Sequence, residues 1–341
     1  MRAVGYQRSL PPSDPESLVD IELPDPPATT GRDLLVKVHA VSVNPVDTKV
    51  RRRAQPEAGA WKVLGFDAAG TVVAAGPEAT LFAAGDPVYY AGSVARPGTN
   101  AELHLVDERI VGRKPAGLGW AEAAALPLTA ITAWKMLFDR LEVQRPVPDA
   151  APAVLVIGGA GGVGSMAVQL ARQLTDLTVL ATGSRPESRA WTVALGAHHV
   201  LDHSKPLAAQ VAALGIGAPG LVFSTTHTED HIGEIAALIA PQGRFGYIDD
   251  IATLDPAPFK SKSVSIRLES MVTRPVYGTE DMDAQHALLD EVARLVDAGR
   301  IRTTLAERMT PIDAANLRRA HGLLEAGWTQ GKIVVEGFSG V

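Results

Sequence analysis

No cysteine occurs anywhere in the 341 residues. Disulfides, iron–sulfur clusters, thiol nucleophiles and thiolate zinc sites are thereby excluded. An excess of basic charge is also missing. The chain has 32 Lys and Arg against 38 Asp and Glu, a net charge of −6, which argues against nucleic acid or anionic membrane as the main partner. There is no low-complexity tract and no convincing internal repeat. The opening MRAVGYQRSL lacks the continuous apolar core of a secretory signal, so a soluble protein of the cytoplasm is the expected setting. A membrane span is lacking too, although one stretch imitates it. Residues 150–168 run for 19 positions without a formal charge, close to the roughly 20 a spanning helix needs. Pro152 and five glycines interrupt that stretch, and each glycine costs a helix interior about 1 kcal/mol relative to alanine.

What remains is globular: 46% hydrophobic, 21% charged, and long enough for two domains of about 150 residues each. The first third is β-rich. DLLVKVHAVSVN (33–44), AAGTVVAAG (68–76), DPVYYAG (86–92) and AELHLVDERIV (101–111) are short runs bounded by Gly, Pro, Asp and Asn, a small barrel or sandwich pattern. GWAEAAALPLTAITAWKMLF (119–138) reads as a helix and QRPVPDAAP (144–152) as a linker. From Val154 strands and helices alternate: VLVIG, a helix over 163–174, LTVLATG (177–183), a helix over 185–196, HHVLD (198–202), a helix over 207–214, LVFSTT (221–226), a helix over 230–240, RFGYID (244–249) and VSIRLESMV (264–272). That alternation predicts a doubly wound parallel sheet with helices on both faces. Helices over 283–298 and 313–326 and a strand KIVVE (332–336) follow.

The membrane-like stretch resolves as strand, turn and helix. Gly159-Ala160-Gly161-Gly162-Val163-Gly164 fits G-x-G-x-x-G directly after a strand and at the opening of a helix. Glycines there allow a tight turn and a close approach of backbone to a pyrophosphate, which sits at the positive helix end. The motif lacks the Lys-Ser/Thr of a phosphate-transfer loop. A dinucleotide is the expected ligand. An Asp or Glu at the end of the second strand would hold the ribose hydroxyls of NAD. This chain has Ala181-Thr182-Gly183-Ser184-Arg185 instead. Ser184 and Arg185 suit a 2′-phosphate, with Arg189 and His203 as helpers, through charge-assisted hydrogen bonds about twice as strong as neutral ones. The alternative for Arg185 is a solvated residue at a helix start. The missing acid points to NADP(H).

VSVNPVDTKVR (41–51), LGFDAAGTVVAAG (64–76), GDPVYYAG (85–92), ALPLTAITAW (125–134), GGAGGVGS (158–165) and GKIVVEGF (331–338) stand in one order along nearly the whole chain. Together they resemble the medium-chain dehydrogenase/reductase superfamily in its zinc-free quinone oxidoreductase branch, and in particular the subgroup labelled zinc-type alcohol dehydrogenase-like. The resemblance implies a GroES-like β-rich catalytic domain from 1–126 completed by 275–341, a Rossmann NADP-binding domain over 127–274, and an active site in the cleft. It further implies a homodimer joined through the Rossmann sheet edge near 264–272.

The same resemblance argues against a metal. Where zinc alcohol dehydrogenases carry a Cys, a His-Glu pair and a second Cys, this chain has Asn44, Phe66-Asp67 and Leu128-Thr129. A catalytic zinc needs three protein ligands. Hydride transfer from NADPH to a quinone or an α,β-unsaturated carbonyl is the expected chemistry, because conjugation spreads the arriving charge and modest hydrogen bonding suffices. Two other readings stay open: a zinc-free ketone or aldehyde reductase, and an NADPH-binding protein with little turnover.

Candidate catalytic residues follow from position. Asn44 is either a donor to the substrate oxygen or a turn-forming residue before Pro45. Asp47 caps the next helical turn or orients Lys49 or Arg51. Tyr89 and Tyr90 are alternatives, since strand neighbours face opposite sides: one lines the cleft as a donor and the other packs. Thr129 either holds the nicotinamide carboxamide or substrate, or begins a helix. Lys332 reaches the cofactor or lies exposed. The remaining histidines, 227, 231 and 321 among them, read as surface or interface residues.

Overall fold

The computed structural model describes residues 1–327 and 329–338. The chain divides into two compact units, one of Met1–Ile131 with Val272–Val341 and one of Thr132–Met271.

The first unit is built on a seven-stranded sheet. Its order is Leu305–Met309, Lys332–Glu336, Asp33–Val43, Asp67–Ala75, Pro87–Ala91 and Val111–Arg113, with Leu103–Asp107 pairing to Asp33–Val43. Leu34, Val36 and Val38 are buried and alternate with the more exposed Leu35, Lys37 and His39 in the first half of Asp33–Val43, the signature of a sheet with one covered face. A three-stranded sheet of Val19–Glu22, Arg2–Tyr6 and Lys62–Val63 accompanies it. The core gathers Leu34, Val36, Val41, Leu64, Val88 and Tyr90 with Leu317 and Ile333.

Two expected elements break for local reasons. The strand over 101–111 stops at Asp107, and Glu108–Ile110 turns as a 3₁₀ helix. Glu108 is fully buried, where its carboxylate accepts from the backbone N–H of Thr80 (2.9 Å) and Leu81 (2.7 Å) and from Arg32 (2.8 Å). Satisfying a buried carboxylate that way takes the chain out of the strand path. The helix over 119–138 becomes Trp120–Ala124, Pro127–Trp134 and a π-helical turn Lys135–Arg140. Pro127 explains the first break, because proline disfavours helical geometry in the residue before it yet suits a first helical position.

The second unit holds a six-stranded, wholly parallel sheet in the order His199–Leu201, Thr178–Thr182, Ala151–Ile157, Pro219–Ser224, Arg244–Tyr247, Ser265–Leu268. Numbered along the sequence this is 3-2-1-4-5-6, the dinucleotide-binding order. Ala153, Val154, Leu155, Val156 and Ile157 are all buried, as a strand covered on both faces requires. Among the described residues no helix is long and apolar enough to cross a membrane.

Candidate active site and cofactor turn

In the first unit four polar side chains are drawn into the core. Asn44, Asp47, Asp67 and Lys332 are each no more than 4% exposed. Asn44 ends the strand Asp33–Val43 and precedes the helix Pro45–Arg53. Its backbone N–H donates to Asp47 Oδ2 at 2.8 Å, and Asp47 Oδ1 accepts from Gly65 N at 2.9 Å. Asn44 Nδ2 donates to Ser42 O at 3.1 Å and to Asp67 Oδ2 at 2.8 Å. Asp67 opens the next strand, and its Oδ1 accepts from Leu128 N at 2.7 Å. Lys332, first residue of the strand Lys332–Glu336, donates to Val43 O at 3.0 Å, to Asp67 Oδ2 at 3.1 Å and to Asn44 Oδ1. The ammonium thus has three acceptors for three protons. Burial pushes the Asp67 carboxyl up and the Lys332 ammonium down, and each opposes the shift of the other. Burial also pushes Asp47 up to about 7, against the bonds from Asn44 and Gly65.

The expected donors are therefore already engaged. Both amide hydrogens of Asn44 are committed inside the chain, so the expectation that it donates to a substrate oxygen meets a side chain with none to spare. Asp47 takes the capping place, while Arg51 pairs with Glu325 instead, at 2.5 Å. Tyr89 and Tyr90 are both fully buried, and neither is the exposed member of a pair. Tyr89 donates to Leu289 O at 2.6 Å, and Tyr90 Oη lies 3.0 Å from His104 Nδ1. Thr129 Oγ1 donates to Leu126 O at 3.0 Å near the start of its helix. Lys332 is buried, not exposed. It joins Asn44 and Asp47 in one cluster, which Tyr89, Tyr90 and Thr129 do not enter through any of these bonds.

In the second unit the turn has the form the glycines require. Gly158 has φ +80°, and its N–H donates to Thr182 Oγ1 at 3.0 Å. A Cβ on Gly164 would lie 2.1 Å from Gly158 O, so helix and strand approach too closely for a side chain. Gly161 is different. Its φ is −70° and a Cβ there would meet only Gly158 O at 3.5 Å, so neither backbone strain nor crowding within the chain demands glycine. The space matches close approach by a ligand's pyrophosphate. The helix Gly162–Leu174 begins there, and its first intrahelical bond runs from Ser165 N to Gly161 O. Gly162, Val163 and Gly164 precede that bond with their N–H groups at the positive helix end. Ala160 is buried beneath the turn.

Beside it, Thr182 ends the second strand, Ser184 is exposed, and Arg185 precedes the helix Pro186–Ala194. Arg189 Nη1 donates to Gly183 O at 3.3 Å, and His203 Nδ1 lies 3.1 Å from Thr182 Oγ1. The structure brings all of these to one end of the sheet. His231 also stands here, partly buried and 6.3 Å from His203 between ring centroids. His321 is a correction to its expected surface or interface place, being wholly buried. Asp67 had a visible signal, since a lone carboxylate in LGFDAAG sits among residues that can only be core.

Two units, one closed by a strand from late in the sequence and one of dinucleotide-binding topology with its glycine turn, define a two-domain protein of the dinucleotide-binding class. Comparison makes the class specific. Residues 30–135 match the alcohol dehydrogenase GroES-like domain and residues 195–335 the zinc-binding dehydrogenase family. The chain is 37% identical over 340 residues to a zinc-type alcohol dehydrogenase-like protein of Staphylococcus aureus, covering 98% of this chain and 99% of the relative. It is 30% identical over 316 residues to a quinone oxidoreductase of Pseudomonas aeruginosa, covering 91% and 93%. Among solved structures, one from Rhizobium etli, described as a candidate zinc-dependent alcohol dehydrogenase, superposes with a TM-score of 0.98 at 65% identity, covering 100% and 99%. A mycobacterial protein solved with NADPH superposes with a TM-score of 0.80 at 26% identity, covering 98% and 100%. The chain belongs to the medium-chain dehydrogenase/reductase superfamily.

The zinc in some of those names does not fit this chain. Asn44 and Leu128-Thr129 offer neither thiolate nor imidazole, and the Asp67 carboxylate already accepts from Leu128, Asn44 and the Lys332 ammonium. Among the described residues no three of His, Cys, Asp and Glu gather as a metal site. A cation is present, but it is the lysine's own.

Proposed function

We propose that the protein is an NADPH-dependent reductase that passes hydride to a quinone or an α,β-unsaturated carbonyl without a catalytic metal. The observation that carries this reading is the Asn44–Asp67–Lys332 cluster, in which an internal ammonium stands against the carboxylate at the positions where metal-using relatives hold zinc. With no Lewis acid, alkoxide charge on an isolated ketone oxygen has no strong stabiliser. A conjugated acceptor delocalises the same charge, and solvent supplies the proton. When bound, the reduced nicotinamide supplies the hydride. The backbone N–H groups of Gly162, Val163 and Gly164 would hold its pyrophosphate, and Ser184 and Arg185 its 2′-phosphate. The buried cluster positions the starts of three segments, and catalysis rests on orientation of acceptor and donor. A second copy of the chain would add at the strand Ser265–Leu268, which lies at the end of its sheet and leaves Leu268 63% exposed.

The test is the initial rate of NADPH and NADH oxidation with an ortho-quinone, a para-quinone, an enone and a saturated ketone, with and without chelator. Chelator-insensitive NADPH turnover of quinone or enone alone is expected. Turnover of the saturated ketone, or binding without any turnover, would overturn the reading. Elemental analysis of the purified protein should find far less than one zinc per chain. Arg185→Glu should weaken NADPH at least about tenfold more than NADH, since one or two charge-assisted bonds are lost and repulsion is added. The helix start survives this change, because the Arg185 backbone N–H, not its side chain, donates to Ser188 Oγ. Equal losses for both cofactors would remove the 2′-phosphate argument.

A further inference from the structure

The end of the Rossmann sheet carries three imidazoles that the proposed function leaves without a task. His203 follows the strand His199–Leu201, which pairs with the second strand so that Leu201 lies opposite Thr182. Gly183 N donates to Leu201 O at 2.9 Å, so His203 stands beside the Gly183-Ser184-Arg185 segment where the adenosine ribose is read. Its Nδ1 is tied to Thr182 Oγ1, the same hydroxyl that accepts from Gly158 of the glycine turn. That leaves Nε2 for a ligand. His231, on the helix Thr228–Leu238 after the fourth strand, brings its ring to 6.3 Å from that of His203. His227 caps the same helix in a left-handed conformation, φ 52°, its Nδ1 2.9 Å from Thr226 Oγ1. Non-glycine residues adopt that conformation only where surroundings hold them. Thr228, next in the chain, provides the hold by bonding Asp249 through both its N–H and its hydroxyl.

We propose that His203, backed by His231 and His227, forms a proton-gated wall of the adenosine 2′-phosphate site, so that preference for the phosphorylated dinucleotide changes with pH. This rests on the cofactor reading above and goes beyond it. The groups facing His203 are His231, His227, Arg185 and Asp202; those facing His231 are Asp230, Glu234 and Asp249 together with His227. Half-burial above all holds both rings below the usual imidazole value; His231, His227 and Arg185 add to this at His203 against Asp202, whereas at His231 only His227 does, against Asp230, Glu234 and Asp249. They are neutral in the free protein at neutral pH. A phosphate dianion favours the charged imidazole, so NADPH binding takes up a proton that NADH binding does not. A group whose value is raised by the ligand gives its full binding benefit below its free value and loses it as pH rises through its bound value. NADPH affinity therefore falls with rising pH while NADH affinity stays level.

The experiment is calorimetric or fluorescence titration of the whole protein with NADPH and NADH, and with adenosine 2′,5′-bisphosphate and 5′-AMP, between about pH 6 and 8.5. The NADPH and bisphosphate dissociation constants should rise about three- to tenfold across that range, with those of NADH and AMP within about twofold, since one proton of linkage gives at most a decade per unit. Calorimetry in buffers of different ionisation enthalpy should show the proton uptake directly. His203→Asn, which keeps an atom for Thr182, and His203→Asn/His231→Asn should flatten the NADPH slope relative to the wild type, and the melting temperatures of the free variants show that they fold. Parallel NADPH and NADH profiles, or a slope that survives in the double variant, would overturn the proposal while leaving the cofactor reading intact. Failure of both dinucleotides to bind would overturn the cofactor reading itself, and this inference with it.

Discussion

Lys332→Met should destabilise the protein by about 3–5 kcal/mol, the usual consequence of removing one partner of a buried ion pair. The loss comes less from the missing attraction than from what is left behind. Asp67 is completely buried, and without the ammonium its charge keeps only the bonds from Asn44 and Leu128. Asn44 Oδ1 and Val43 O lose their donor as well. Adding Asp67→Asn to Lys332→Met removes the stranded charge, and most of the loss should return. Denaturant midpoints of the wild type, both single variants and the double variant give the coupling directly. Strictly additive losses would mean that the pair does not act as a unit. The single variant should also acquire a pH dependence. Its Asp67 would hold a proton in the folded state that the unfolded chain has released, so its stability should fall as pH rises above the ordinary carboxylate range.

Lowering the pH from about 6.5 toward 4 should withdraw the stability that two buried histidines contribute, against the opposite trend of Asp47, whose raised value adds stability over the same range. Burial pushes His104 down to about 4. Its ring lies between Tyr90 Oη and the Pro97 carbonyl, each at 3.0 Å, which fits a neutral ring that accepts at Nδ1 and donates from Nε2. The unfolded chain takes its proton near 6.5, the folded chain only near 4. Stability from this group is therefore complete above about pH 6.5 and lost as pH falls toward 4, amounting to about 3 kcal/mol. His321, pushed down to about 3 by burial and then by Arg51, loses stability in the same direction. Both of its ring nitrogens are buried and have no hydrogen-bond partner among the described residues. His321→Leu should consequently cost little at pH 7.5, since an unsatisfied polar group is replaced by an apolar one, and should flatten the acid limb. Melting temperatures between about pH 8 and pH 4 measure both effects. A His321→Leu profile that falls as steeply as that of the wild type between about pH 6.5 and 4 would refute the argument.

The Rossmann unit was legible because its strands are continuous apolar runs, each separated by a helix, and no other packing buries Val154 to Ile157 on both faces. The glycine turn was legible from its place between strand and helix. Among the strands of the other unit that were not read are Arg2–Tyr6, Val19–Glu22, Lys62–Val63 and Leu305–Met309. Each is short, and charged residues in VDIE and LAERM mask the alternation. The buried cluster was legible only in pieces. Asn44 and Asp47 are neighbours, but Lys332 reaches Asp67 across 265 positions, and nothing in GKIVVE separates a buried lysine from a solvated one. Tyr89 and Tyr90 failed the alternation rule because both faces of their strand are covered. One tyrosine packs toward Leu289, the other toward His104. His231 was unreadable for a related cause, since its neighbour His203 belongs to a different βα unit.

The strand that carries Lys332 has a bearing on how the chain is made. The unit of Thr132–Met271 is continuous, and every strand of its sheet has left the ribosome once residue 268 has emerged. The other unit waits. Its sheet lacks Lys332–Glu336, and Asp67 lacks its counter-charge, until a segment translated more than 250 residues after Asp67 itself arrives. At about 5–20 residues per second, the early strands spend roughly 13 to 50 seconds as an open edge with a charged residue beside it. One strand brings both the last pairing of Asp33–Val43 and the counter-charge of Asp67, so completion of that edge and neutralisation of the buried carboxylate are a single event.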